Sequence, residues 1–152
     1  MIRRNKKTIA TALVCANLLF IWGNSLLPAS VSGAISQWVK EMLGFLLEGL
    51  GGGALHGDGP IRKLAHFLEF TCLGLLLGWR CCLSLENKWI LPAFVSGVSV
   101  AFVDELLQHF SPGRAPRILD VGIDTLGVSL GISLLLLGQY IRKKKQFRSF
   151  GG

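Results

Sequence analysis

The sequence has little charge within four long apolar runs, and several motifs that mark common catalytic centres are missing. No phosphate loop or HExxH occurs, so no phosphate cradle or zincin helix can be assigned. There is no CxxC pair and no even cysteine framework. Cys15 and Cys72 fall inside apolar runs, and Cys81 and Cys82 are adjacent. That pattern argues against a disulfide scaffold or zinc site and reads as buried small hydrophobes. The net charge of +7 over 152 residues resembles a nucleic-acid footprint only in size. The cations sit at the ends of apolar runs, where membrane topology uses them, and no nucleic-acid partner is expected.

What is present is enough apolar chain to cross a bilayer four times; a span needs about 20 apolar residues. The runs are about 8–27, 60–79, 88–109 and 118–140. The first follows Arg3, Arg4, Lys6 and Lys7, as a secretory signal would, with Ser32-Gly33-Ala34 as a tolerable cleavage site. It is longer than the 7–15 residues of a signal core, which favours an uncleaved anchor. Pro60 suits a first helical position, with Asp58 near a cap. The whole reads as one all-α membrane domain over 1–152, with a basic tail at 141–152.

Lysine and arginine set the expected direction. With both termini inside, the inner side carries 11 of them and the outer side 5: Lys40, Arg62, Lys63, Arg114 and Arg117. This is a positive-inside bias. The tail cations lock topology and can also meet anionic lipid. Between the first two spans, Ile35, Trp38, Val39, Met42, Phe45, Leu46 and Leu50 follow helical spacing, while Ser36, Gln37, Lys40, Glu41 and Glu48 lie off that stripe. An outer amphipathic interfacial helix over about 35–50 is expected, ended by Gly51-Gly52-Gly53 and a flexible linker.

The acidic groups then gather on one side. Only Glu86 of the nine carboxylates falls inside. His66 and Glu69 lie roughly 9–13 Å into the second span at the helical rise, and Asp124 lies at similar depth in the fourth. Asp104, Glu105, Gln108 and His109 close the third span, and Asn24 and Ser25 close the first. Ionised groups at such depth cost about 2.5–3.5 kcal/mol at mid-membrane, so they face the bundle interior and find partners. Asp104 with Gln108, Glu105 with His109 and Asp120 with Asp124 are i,i+4 pairs. Gly127-x-x-x-Gly131 lets a neighbouring helix approach closely.

Two readings of the cluster stay open: polar glue between helices, or a pocket. In the pocket, Lys63, Arg114 and Arg117 hold an anionic group, Asp104, Glu105, Asp120 and Asp124 position them, and His66 with Glu69 forms the titrating pair. No cofactor is expected, although a divalent cation held by His66, Asp104, Glu105, Asp120 and Asp124 is chemically feasible.

Three blocks of sequence resemble the VanZ-like family of small bacterial membrane proteins. They are Gly23-Asn24-Ser25 with Pro28; Arg62 to Phe70 followed by Leu73-Gly74; and Asp104 to Gln108, Pro112-Gly113-Arg114, Asp120-Val121, Asp124-Thr125 and Gly127 with Gly131. The likeness covers about residues 20–132, and family members often carry tyrosine where this chain has Phe70. It implies a protein of the bacterial cytoplasmic membrane and cell envelope, whose founding member is associated with resistance to teicoplanin. It does not imply a reaction. The partners expected are membrane lipids and a cell-wall precursor or glycopeptide-related ligand. Alternatives are an enzyme acting on a phosphate or glycan headgroup through His66 and Glu69, and a structural subunit of a larger complex. No oligomeric state follows.

Overall fold

A computed structural model describes residues 2–48, 59–85, 88–114 and 117–150. The described chain is helical throughout: α1 (Ile2–Leu26), α2 (Ala29–Glu48), α3 (Gly59–Leu85), α4 (Ile90–His109) and α5 (Ile118–Phe150). Four of them, α1, α3, α4 and α5, are long and apolar enough to cross a membrane. The linker residues 49–58, including Asp58, lie outside the described residues, as do the side chains that continue the expected apolar stripe beyond Glu41.

The helices overrun the apolar runs for physical reasons. Helix α3 continues past Arg80, whose guanidinium donates to Thr11 Oγ1 at 2.8 Å and to Ser84 Oγ at 2.5 Å. Helix α5 carries its basic residues on through Phe150; lysine and arginine are good helix formers and suit a helix C-terminus. Helix α2 starts six residues before the expected Ile35, because the Pro28 carbonyl accepts the Val31 and Ser32 amides and nucleates the first turn. Ser32-Gly33-Ala34 therefore lies inside a helix. Pro60 sits in the first turn of α3, where its missing N–H costs nothing.

Burial is inverted relative to a protein folded in water. Leu19, Phe20, Leu68, Leu91, Phe102, Leu106, Leu119 and Leu126 are exposed, while Ser25, Asp104, Glu105, Gln108 and Asp124 are buried. Apolar side chains on the rim cost nothing against lipid, and polar ones must turn inward. Cys15 and Cys72 belong to this rim: both are exposed rather than buried, and all four cysteines are free. On α2, Ile35 and Trp38 are exposed and Ser36 is buried.

Helices α3 and α5 make the most extensive contact. Glycine is what permits it. A Cβ on Gly127 would lie 2.6 Å from the Phe67 carbonyl oxygen. One on Gly131 would strike the Thr71 carbonyl, and one on Gly74 the Val128 carbonyl. The buried face of α4 runs Ala93, Gly97, Ala101, Asp104, Glu105 and Gln108. It is small and apolar against Val128 near one end and carboxylate-bearing near the other, so one helix supplies both the packing and the site.

Candidate functional site

Four helix ends, those of α1, α3, α4 and α5, and one loop frame the polar cluster. The loop follows α4: the Ser111 amide donates to the Gln108 carbonyl, the Arg114 amide donates to the Ser111 carbonyl, and Gly113 takes φ +77. That left-handed turn favours glycine, and a Cβ there would also lie 3.1 Å from Ala29 Cβ. The loop is tied to the corner between α1 and α2. Ser111 Oγ donates to the Ser25 carbonyl at 2.7 Å, and the Ala29 amide donates to the Pro112 carbonyl at 3.1 Å.

Within this frame His66 is central. Its Nδ1 lies 3.9 Å from Asp104 Oδ2 and 4.0 Å from Glu69 Oε2. Gln108 Nε2 donates to Asp104 Oδ2 at 3.0 Å, as the i,i+4 spacing predicts. Asn24 Nδ2, from α1, donates to Glu69 Oε1 at 2.8 Å. Ser25 is fully buried beside Asp104. Lys63 Nζ lies 3.8 Å from Asp120 Oδ1. Donor atoms of His66, Asp104 and Asp124 all lie within 4.8 Å of one another, so these three are the residues that could hold a metal ion.

Two cavities flank His66. One, of about 350 Å³, opens between α1, α2, α3 and the loop. Its polar lining is Asn24, Ser32, Ser36, Arg62, His66, Glu69 and Arg114, and its apolar lining includes Phe20, Leu27 and Ile35. The other, of about 10 Å³, is bounded by Lys63, His66, Gln108, Asp120 and Asp124. It has room for about one water-sized species.

One sequence expectation needs correction, and two expected site residues lie apart from the larger pocket. Glu105 does not pair with His109: its carboxylate accepts the Arg117 backbone amide instead, and His109 is exposed, edge-on to Phe110. Arg117 is exposed and stays outside the main pocket; it lines a separate surface groove with Phe102, Glu105 and Ile118. Lys63 is matched to Asp120 and lines the small cavity rather than the larger one. The pocket cations are Arg114 and Arg62, and Arg62 was not among the expected site residues. Its place beside Lys63 on the same first turns was the available signal. The Arg114 guanidinium donates to the Asn24 carbonyl at 3.2 Å. Burial, and then Arg62, push it down from the ordinary arginine range, against the pull of Asp104, Glu105 and Glu69. Arginine nonetheless stays charged.

Four helices long and apolar enough to cross a membrane, with an ionisable cluster buried near one end, mark a multi-pass membrane protein. A family model described as VanZ/LLP1 matches residues 5–139, and the chain belongs to that family. No curated protein and no solved structure matches it.

Proposed function

We propose that the larger pocket binds the anionic headgroup of a membrane lipid or lipid-linked cell-wall intermediate. One observation carries this reading: Arg62 and Arg114 line a single pocket whose other wall is Phe20, Leu27 and Ile35. Two guanidiniums facing one space repel each other, and an anion between them relieves that cost. Guanidinium forks suit phosphate and carboxylate oxygens bidentately. The apolar wall suits the attached chain. Asn24 and Glu69 fix the polar rim, and His66 completes it.

On this reading the protein sits in the bacterial cytoplasmic membrane with both termini cytoplasmic and the pocket facing outward, in keeping with the bias of 11 cations against 5. A cytoplasm-active reporter after Gly152 is expected to be active and one near Gly52 silent; the reverse pattern inverts the pocket. Susceptibility to teicoplanin is the envelope phenotype to follow.

Lipid extraction and mass spectrometry of the purified protein test the ligand. A phosphate-bearing lipid enriched over the bulk membrane, lost in the Arg62→Ala/Arg114→Ala double variant and kept in Arg117→Ala, is the expected result. Bulk composition in the parent protein overturns the reading. A second reading, acid–base catalysis on the same headgroup, draws on the approach of His66 Nδ1 to Asp104 and Glu69. Turnover of the enriched lipid, abolished in His66→Gln, would favour it.

A further inference from the structure

Five carboxylates and the His66 imidazole share this end of the bundle, and the structure sorts them. Asp120 faces Lys63, and Glu105 accepts a backbone amide. Glu69 is held by Asn24 on the side of the larger pocket. Asp104 and Asp124 remain, 0% and 1% exposed. Oδ1 of each, and Nδ1 of His66, has no hydrogen-bond partner among the described residues. Arg62 and Lys63 line the small cavity beside them, yet among the described residues no cation lies within ion-pair distance of Asp124.

Two buried carboxylates this close cannot both be ionised without a positive partner. Uncompensated buried acceptors are costly, and one ion between them satisfies all three donors together. We propose that His66, Asp104 and Asp124 form a binding site for one divalent cation. This site shares His66 with the headgroup pocket, but its other ligands, Asp104 and Asp124, do not line that pocket, and the proposal does not rest on a lipid being bound there.

The donor set narrows the metal. One imidazole and two carboxylates suit Zn²⁺ or Mn²⁺; thiolate-seeking Cu⁺ finds no sulfur here, and Ca²⁺ wants 6–8 oxygens. Three protein donors leave coordination positions for other oxygens. Donors around a tetrahedral ion sit about 3.4 Å apart, so the trio, now within 4.8 Å, draws together on loading. The support already exists: Gln108 Nε2 holds Asp104 Oδ2, as outer partners of metal ligands do, and leaves Oδ1 unpartnered. The cavity of about 10 Å³ beside them is of ionic size.

Delipidated protein in detergent, stripped with chelator, is titrated with Zn²⁺ and with Mn²⁺ alone. Binding is read by metal analysis after desalting, by Mn²⁺ spin resonance and by thermal unfolding. One equivalent per chain and a raised Tm are expected. Asp124→Asn and His66→Gln should each weaken binding at least about 100-fold, since loss of even an outer partner costs about 10–100-fold. His109→Gln, at an exposed imidazole, should not. No stoichiometric binding by the parent overturns the site, and this measurement needs no variant to fold. Binding unchanged in Asp124→Asn, or lost in His109→Gln, overturns it too. Lipid enrichment is scored separately, so either proposal can fail without the other.

Discussion

The two sides of α3 are built on opposite principles. Toward α5 it meets glycine and backbone: Gly127 and Gly131 lie against Phe67, Thr71 and Leu75, and Gly74 lies against Val128. Toward α1 and α2 it meets a cavity of about 350 Å³ with the bond from Asn24 to Glu69 at its rim, and the bond from Arg80 to Thr11 ties α3 to α1 further along. One wall of the site is close-packed main chain, which cannot give. The other is side chains, a loop and a helix joined by a few polar bonds, which can. A binding site near the end of a bundle needs both, because the rigid wall holds Asp124 and His66 in register while the softer wall admits a ligand.

Substitutions at the rigid wall should break this contrast most. Gly131→Ala sets a Cβ against the Thr71 and Leu75 main chain, so a cost of about 3 kcal/mol is expected, the upper end of overpacking. Gly138→Ala on the same helix, with nothing within 4 Å, should instead gain about 0.4–1 kcal/mol from a stiffer unfolded chain. Thermal unfolding in detergent measures both, and equal effects would erase the distinction between the walls.

A smaller loss is expected where the loop meets α2. Gly113→Ala forces a left-handed residue and crowds Ala29, at about 1–2 kcal/mol. Its signature is a lowered Tm together with weaker lipid retention. The smallest effect sharpens the softer wall. Asn24→Ala removes one hydrogen bond, about 1 kcal/mol, and a double-mutant cycle with Glu69→Gln should show the two residues coupled. Additive losses would mean that the Asn24 and Glu69 side chains do not tie α1 to α3.

The sequence makes the spans and the depth of the cluster legible because both follow from counting along helices. Asp104 with Gln108 and the glycine pair on α5 are i,i+4 relations internal to one helix, and both hold. What counting cannot supply is rotation between helices and the path of loops. Glu105 and His109 have the same spacing as Asp104 and Gln108, yet the turn after α4 brings the Arg117 amide to Glu105 and leaves His109 outside. Arg62 and Lys63 are neighbours in sequence and both lie at the small cavity; only Arg62 also reaches the larger pocket. Consecutive helical residues differ in direction, and which of two faces a pocket depends on where the next helix stands.

The bond from the Ala29 amide to the Pro112 carbonyl joins the α1–α2 corner to the turn after α4. An amide held this way exchanges its proton with solvent only when that contact separates. Deuterium uptake at Ala29 is therefore a clock for the mouth of the pocket. Slowing of that clock on ligand binding would show that the two segments close together on their guest, and an unchanged rate would show that the guest enters a doorway already set.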